Sequence, residues 1–282
     1  MKIAPLLLIL LLTTTILTSA QTGTADFRSV VEKRLKDKHK ADLAKICAID
    51  TDVVAERVFR DYGAIFLSNK GVSVPPNCVL DSETAVQMFQ ALAGHETEMV
   101  GGVPVTLQTE AMEAFLKARK EAAKSGLAIT PRGGAEASTR SYEKTVDLWR
   151  SRVLPGLTYW AGKKRITHAE AEAARRAPIH EQVAMVLEWE KRGIYFSTDK
   201  SKSILYSVAL PGASQHCFML ALDVEQFANS QVRQILAAHG WFQTVKSDLP
   251  HFTYIGETEK NLAALGLKPV VISGQKFWIP DM

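Results

Sequence analysis

The sequence predicts an α+β fold: a small antiparallel sheet with flanking helices, a mainly helical region before it and a helical insertion within it. Two observations carry this. Up to about residue 192 most apolar residues recur at three- and four-residue spacing, as on a helix face. From Gly193 onward the pattern changes to short apolar runs bounded by Gly, Pro, Asn or Asp, as in strands.

The elements follow in order. Residues 26–47 keep apolar positions such as Phe27, Val31 and Leu35 at helical spacing, and residues 51–62 continue with Val53, Val54, Val58 and Phe59. The Gly- and Pro-containing stretch 71–78 reads as a loop, and 81–92 as a helix with an acid-rich first turn. Residues 103–107 read as a strand, 110–125 as a helix stopped by Gly126, and 127–131 as another strand. A helix over 141–153 is expected to break at Pro155-Gly156. Residues 165–192 hold two helices parted near Pro178, with Thr167 capping the first. Strands are expected at 194–196, 204–210, 218–224, 240–242, 251–255, 270–272 and 277–279, with a helix over 230–239. Three regions result: a leader over 1–20, a mainly helical part over 21–100, and a domain over 101–282 with its insertion near 160–192.

Lys2, the apolar run Leu6–Leu12 and the small residues Thr18-Ser19-Ala20 form a secretory signal. The run is short for a membrane span, which needs about 20 apolar residues. An exported chain, periplasmic or extracellular, without stable membrane insertion is expected. The formal net charge of +4 over 282 residues is mild. The densest charged run, residues 32–40, mixes signs along a helix face, so nothing points to a nucleic-acid partner. Export also bears on the three cysteines. Cys47 and Cys78 share the N-terminal third and form the natural disulfide pair, stabilising the fold by roughly 3–4 kcal/mol in the chain-entropy model. Cys217 is left as a buried thiol.

The chemistry concentrates in Ser214-Gln-His216 to Asp223 and in Asp248-Leu-Pro-His251. Two histidines and a carboxylate on neighbouring strands can form a three-ligand zinc site with one open position, as hydrolytic zinc requires. Asp248, three residues before His251, is placed to take a proton from a water there. The odd interval between His216 and Asp223 puts them on opposite faces of one continuous strand, so joint ligation demands a turn or bulge between them.

This pattern resembles the VanY/VanX-type D-alanyl-D-alanine carboxypeptidases, zinc peptidases that share their fold with hedgehog signalling domains. Their first motif, Ser-x-His-x-x-Gly-x-Ala-x-Asp, is matched by Ser214, His216, Ala221 and Asp223, with Met219 where the family has Gly. Their second, an acid followed three residues later by His, is matched by Asp248 and His251, with Asp in place of Glu. An upstream segment is matched by Arg140-Ser141-Tyr142-Glu143. The resemblance covers about residues 127–256. It implies one Zn²⁺ per chain on His216, Asp223 and His251, and Asp248 as general base. It implies Arg140 against the oxyanion or the substrate's terminal carboxylate, and Ser214 near the substrate or the metal shell. The implied activity is cleavage of peptidoglycan stem peptides, most often at the terminal D-Ala–D-Ala bond. An endopeptidase on another stem-peptide bond and a metal-containing cell-wall binding protein without turnover are the alternatives. His239 is a spare ligand candidate, Arg132 a second arginine candidate, and Trp241 and Phe252 candidate walls.

Overall fold

The computed structural model describes residues 26–246 and 248–282; the expected leader lies outside the described residues. The fold is α+β. Helices α1 (Phe27–Arg34), α2 (Leu43–Ile46), α3 (Val53–Tyr62) and α4 (Glu83–Leu92) lead into a hairpin of β1 (His95–Val100) and β2 (Val103–Gln108). Then come α5 (Thr109–Lys124), α6 (Tyr142–Gly162), α7 (His168–Arg176) and α8 (Ile179–Lys191). Strand β3 (Ala221–Asp223), α9 (Ser230–Ala238), β4 (Trp241–Phe242), β5 (His251–Tyr254), β6 (Leu267–Ile272) and β7 (Gln275–Pro280) complete the chain.

Side-chain caps start most of these helices. Asp26, Asp42, Asp52, Ser82, Ser141 and Asn229 each accept from a backbone N–H of the first turn. Thr167 and Glu170 form a reciprocal capping box on α7. Cys47 and Cys78 are disulfide-bonded, with Cα atoms 5.0 Å apart, and Cys217 is free and buried. One apolar core runs from Phe27 in α1 to Leu267 in β6, so the N-terminal helices and the later elements share a single interior. Among the described residues no helix is long and apolar enough to cross a membrane.

Several expectations are corrected. Among the described residues the single sheet is three small antiparallel ones: β1–β2, β3–β5–β4 and β6–β7. The first of these gained an unexpected strand, β1, whose first four residues are polar and which is exposed up to the buried Val100. Its signal was the Gly101-Gly102 pair, which takes φ of 62° and 83° at the hairpin turn. The break expected at Pro155-Gly156 does not occur, and α6 continues to Gly162. Burial of Trp149, Val153 and Leu157 on one face offsets the hydrogen bond that Pro155 removes. Gly156 serves close packing instead, since a Cβ there would stand 2.4 Å from the Phe196 ring.

Residues 194–196 and 204–210 are not strands; 204–206 form a 3-10 turn. Residues 127–131 form no strand and share only one bridge among the described residues, Pro131 with Val224. Buried apolar runs without alternation fit such tied-down segments as well as strands, and local pattern does not separate the two.

Candidate metal centre

The site forms where β3 and β5 pair. Their antiparallel register sets Asp223 directly opposite His251, so the two side chains project together from one face. His216 is not on a strand. It sits in a 3-10 turn, Gln215–Phe218, that ends in Met219 with a left-handed backbone (φ 54°, ψ 31°). This is the turn that the odd His216–Asp223 interval demanded. The left-handed region favours Gly, so the buried Met219 carries a strain of about 1–2 kcal/mol at that position.

Three ligand atoms converge. His216 Nε2 lies 3.1 Å from His251 Nδ1 and 3.4 Å from Asp223 Oδ1, and His251 Nδ1 lies 3.3 Å from Asp223 Oδ1. A tetrahedral cation of zinc's size, with bonds of about 2.0–2.1 Å, separates its ligand atoms by about 3.3–3.4 Å. The triangle fits one face of such a polyhedron. Asp223 Oδ1 is also buried without a conventional hydrogen-bond partner among the described residues, as expected of an oxygen reserved for a cation. Among the described residues, these three are a group that could hold a metal ion.

The charge states suit ligation. Burial pushes the His216 imidazole down to about 4, so at neutral pH it is the uncharged, metal-binding form. Burial alone would raise the Asp223 carboxyl, but interactions with His216 and His251 outweigh it and hold the group well below the usual carboxylate range. Asp223 Oδ2 is taken by Arg140, which donates at 2.8 Å, while Arg140 Nε donates to the Glu136 carbonyl at 3.0 Å.

Gln215, a residue the sequence reading passed over, stands behind the ligands. Its Oε1 accepts from His251 Nε2 at 2.8 Å and from the Thr253 hydroxyl. Its Nε2 donates to the Tyr62 carbonyl at 3.1 Å, which fixes which end of the amide faces the imidazole. With the proton thus on Nε2, His251 presents the Nδ1 lone pair to the triangle. The signal was its place inside the motif, between Ser214 and His216.

A cleft of about 270 Å³ opens over the triad. Its lining includes His216, His251, Asp248, Arg140 and Ser214 from the expected set, together with Tyr62 of α3, Thr145, Leu148 and Arg152 of α6, and the 205–209 segment. Elements far from the motifs hold that last wall: the Ser203 hydroxyl accepts from Arg57 and Glu190 of α8 accepts from Ile204 N at 2.6 Å. Asp248 is partly buried at the turn that leads into His251, and burial raises its carboxyl, with His251 acting in the opposite sense.

Other candidates fall elsewhere. His239 pairs with Glu121 at 2.8 Å, and the exposed Arg132 pairs with Glu225. Burial pushes the Cys217 thiol up to about 12, the state of a packed small hydrophobe. Trp241 and Phe252 border a different hollow, beside α9. No protein-family model, curated protein or solved structure matches this chain.

Proposed function

We propose that this chain is an exported, zinc-dependent peptidase of peptidoglycan stem peptides, acting on the terminal D-Ala–D-Ala bond as a carboxypeptidase. The observation that carries the reading is the 3.1–3.4 Å triangle of His216, Asp223 and His251, with Asp248 lining the same cleft. The order and spacing of the motifs in the sequence support it further. His216, Asp223 and His251 would hold the zinc ion, which when bound would supply Lewis-acid chemistry and lower the pKa of water. Asp248 takes a proton from the attacking water and passes it to the leaving amine. Its raised carboxyl pKa favours both transfers, because the best general base titrates near the working pH. Arg140 anchors Asp223 and adds positive charge where a negative oxygen develops. Ser214, which lines the cleft, hydrogen-bonds the substrate in this reading. Export is supported by the leader pattern and by the disulfide, which belongs to an oxidising compartment.

The test is release of D-alanine from a purified stem pentapeptide by zinc-loaded protein. Cleavage at another bond of the peptide selects the endopeptidase reading. A protein that keeps zinc but cleaves no bond is the wall-binding alternative, which the shorter reach of Asp248 compared with Glu favours.

A further inference from the structure

We propose that Arg152 anchors an internal carboxylate of the substrate, so that the cleft selects acidic peptides; this rests on the peptidase reading and names its substrate class. Helix α6 lays Thr145, Leu148 and Arg152 along one stripe, and all three line the cleft. Thr145 is committed, since its hydroxyl donates to the Tyr142 carbonyl at 2.6 Å and accepts from Gly212 N at 3.1 Å. Leu148 offers only apolar surface. Arg152 is therefore the polar group that this wall has left to give.

Arg152 is also under-used. Its Nε is buried and has no hydrogen-bond partner among the described residues. One terminal nitrogen donates to the Ser151 hydroxyl at 2.9 Å, and no carboxylate among the described residues forms an ion pair with it. The buried Nε is out of a ligand's reach, so what Arg152 offers the cleft is its terminal edge, where Nη2 has no hydrogen bond or ion pair among the described residues. A planar fork on the wall of a cleft matches a carboxylate, which can accept two of its N–H groups at once.

The other cation of the cleft is in the opposite condition. Arg140 already serves Asp223 and the Glu136 carbonyl, so it positions a metal ligand. The two arginines thus divide the work, one at the triad and one along the helix. Because α6 begins two residues after Arg140, Arg152 lies roughly 15 Å of helix rise from that start. A carboxylate held there belongs to a substrate residue removed from the reacting bond, which is why an internal acid is assigned to it.

Two forms of one stem pentapeptide provide the probe: L-Ala-γ-D-Glu-L-Lys-D-Ala-D-Ala with its D-Glu α-carboxyl free, and the same peptide with that carboxyl as carboxamide. Calorimetric titration of zinc-loaded protein should show the acid form binding about 10–100-fold tighter, the range of a charge-assisted hydrogen bond. Arg152→Gln should abolish the difference without changing zinc content, and Arg152→Lys should keep part of it. Where the peptides turn over, the effect should fall on KM with kcat preserved. Equal binding of both forms by the wild type overturns the proposal, as does binding of neither, or a preference that survives Arg152→Gln. Binding discrimination without cleavage leaves Arg152 assigned and removes the peptidase reading. Cleavage without discrimination does the reverse.

Discussion

Replacing Gln215 by Leu tests whether the cluster is built to hold a metal or is only a packed polar knot. The side chain is buried, and Leu fills much of its volume while removing all three of its hydrogen bonds. Thr253 keeps a partner, because its hydroxyl also meets that of Thr244 at 2.7 Å. The Tyr62 carbonyl keeps the backbone bond that opens the 3-10 segment Gly63–Leu67, but the His251 Nε2–H has no second acceptor among the described residues, and one buried donor left unpaired costs about 1–3 kcal/mol. The metal-free variant should therefore lose about 1–3 kcal/mol in urea unfolding. A second effect is specific to ligation. Without its acceptor, the His251 proton is no longer held on Nε2, and the lone pair at Nδ1 is no longer guaranteed. Loss of such a partner typically lowers metal affinity about 10–100-fold. Chelator competition under conditions where both proteins are folded measures that ratio. Gln215→Glu is the control: it keeps an acceptor toward His251 but turns a carboxylate onto the Tyr62 carbonyl. Zinc affinity should then hold or rise while stability falls. Wild-type zinc affinity in the Leu variant, alongside the expected loss of stability, would refute the assignment of Nδ1 as a ligand.

Purified protein should carry about one zinc per chain, and His216→Ala and His251→Ala should each abolish it by elemental analysis; full zinc in both variants would overturn the triad. Asp248→Asn should keep zinc and cut peptide turnover about 10²–10⁴-fold, and turnover at the wild-type rate would remove Asp248 from the mechanism. Because burial raises the Asp248 carboxyl, activity should appear as pH rises through a value above the ordinary carboxylate range. The stability linked to the same group has the opposite sense. It is fully present below the unfolded carboxyl's pKa and is lost as pH rises through the folded one, so metal-free Asp248→Asn should unfold later than wild type at neutral pH but not in acid. Cys47→Ser should lower stability by about 3–4 kcal/mol, given the 31-residue separation of the bridge. Zinc stoichiometry should be unchanged wherever that variant is folded.

The helices were legible because their signals are local. Capping residues, Gly126 after α5 and the apolar spacing of α3 to α5 sit within a few residues of what they control. Pro155 shows the limit, since the side chains that keep α6 intact gain their burial from other elements. The strands of the central sheet are two to four residues long and fully buried, so no alternation marks their ends. Pairing of β6 with β7 apart from that sheet was equally invisible, as nothing in a strand's own residues names its partner.

By itself the sequence singled out residues that the fold brings together: His216, Asp223, His251, Asp248, Arg140 and Ser214 all line the cleft or the triad beneath it. It also required a turn between the first two ligands and paired Cys47 with Cys78. Only the tertiary structure decided that the turn is a 3-10 segment closed by a left-handed Met219, that Gln215 orients His251, and that Arg140 is spent on Asp223. The walls of the cleft were likewise beyond it. Arg140 meets Asp223 across 83 residues and His216 meets His251 across 35. A motif fixes the kind of side chain at each position, whereas the distance between such positions is set by how the intervening helices pack.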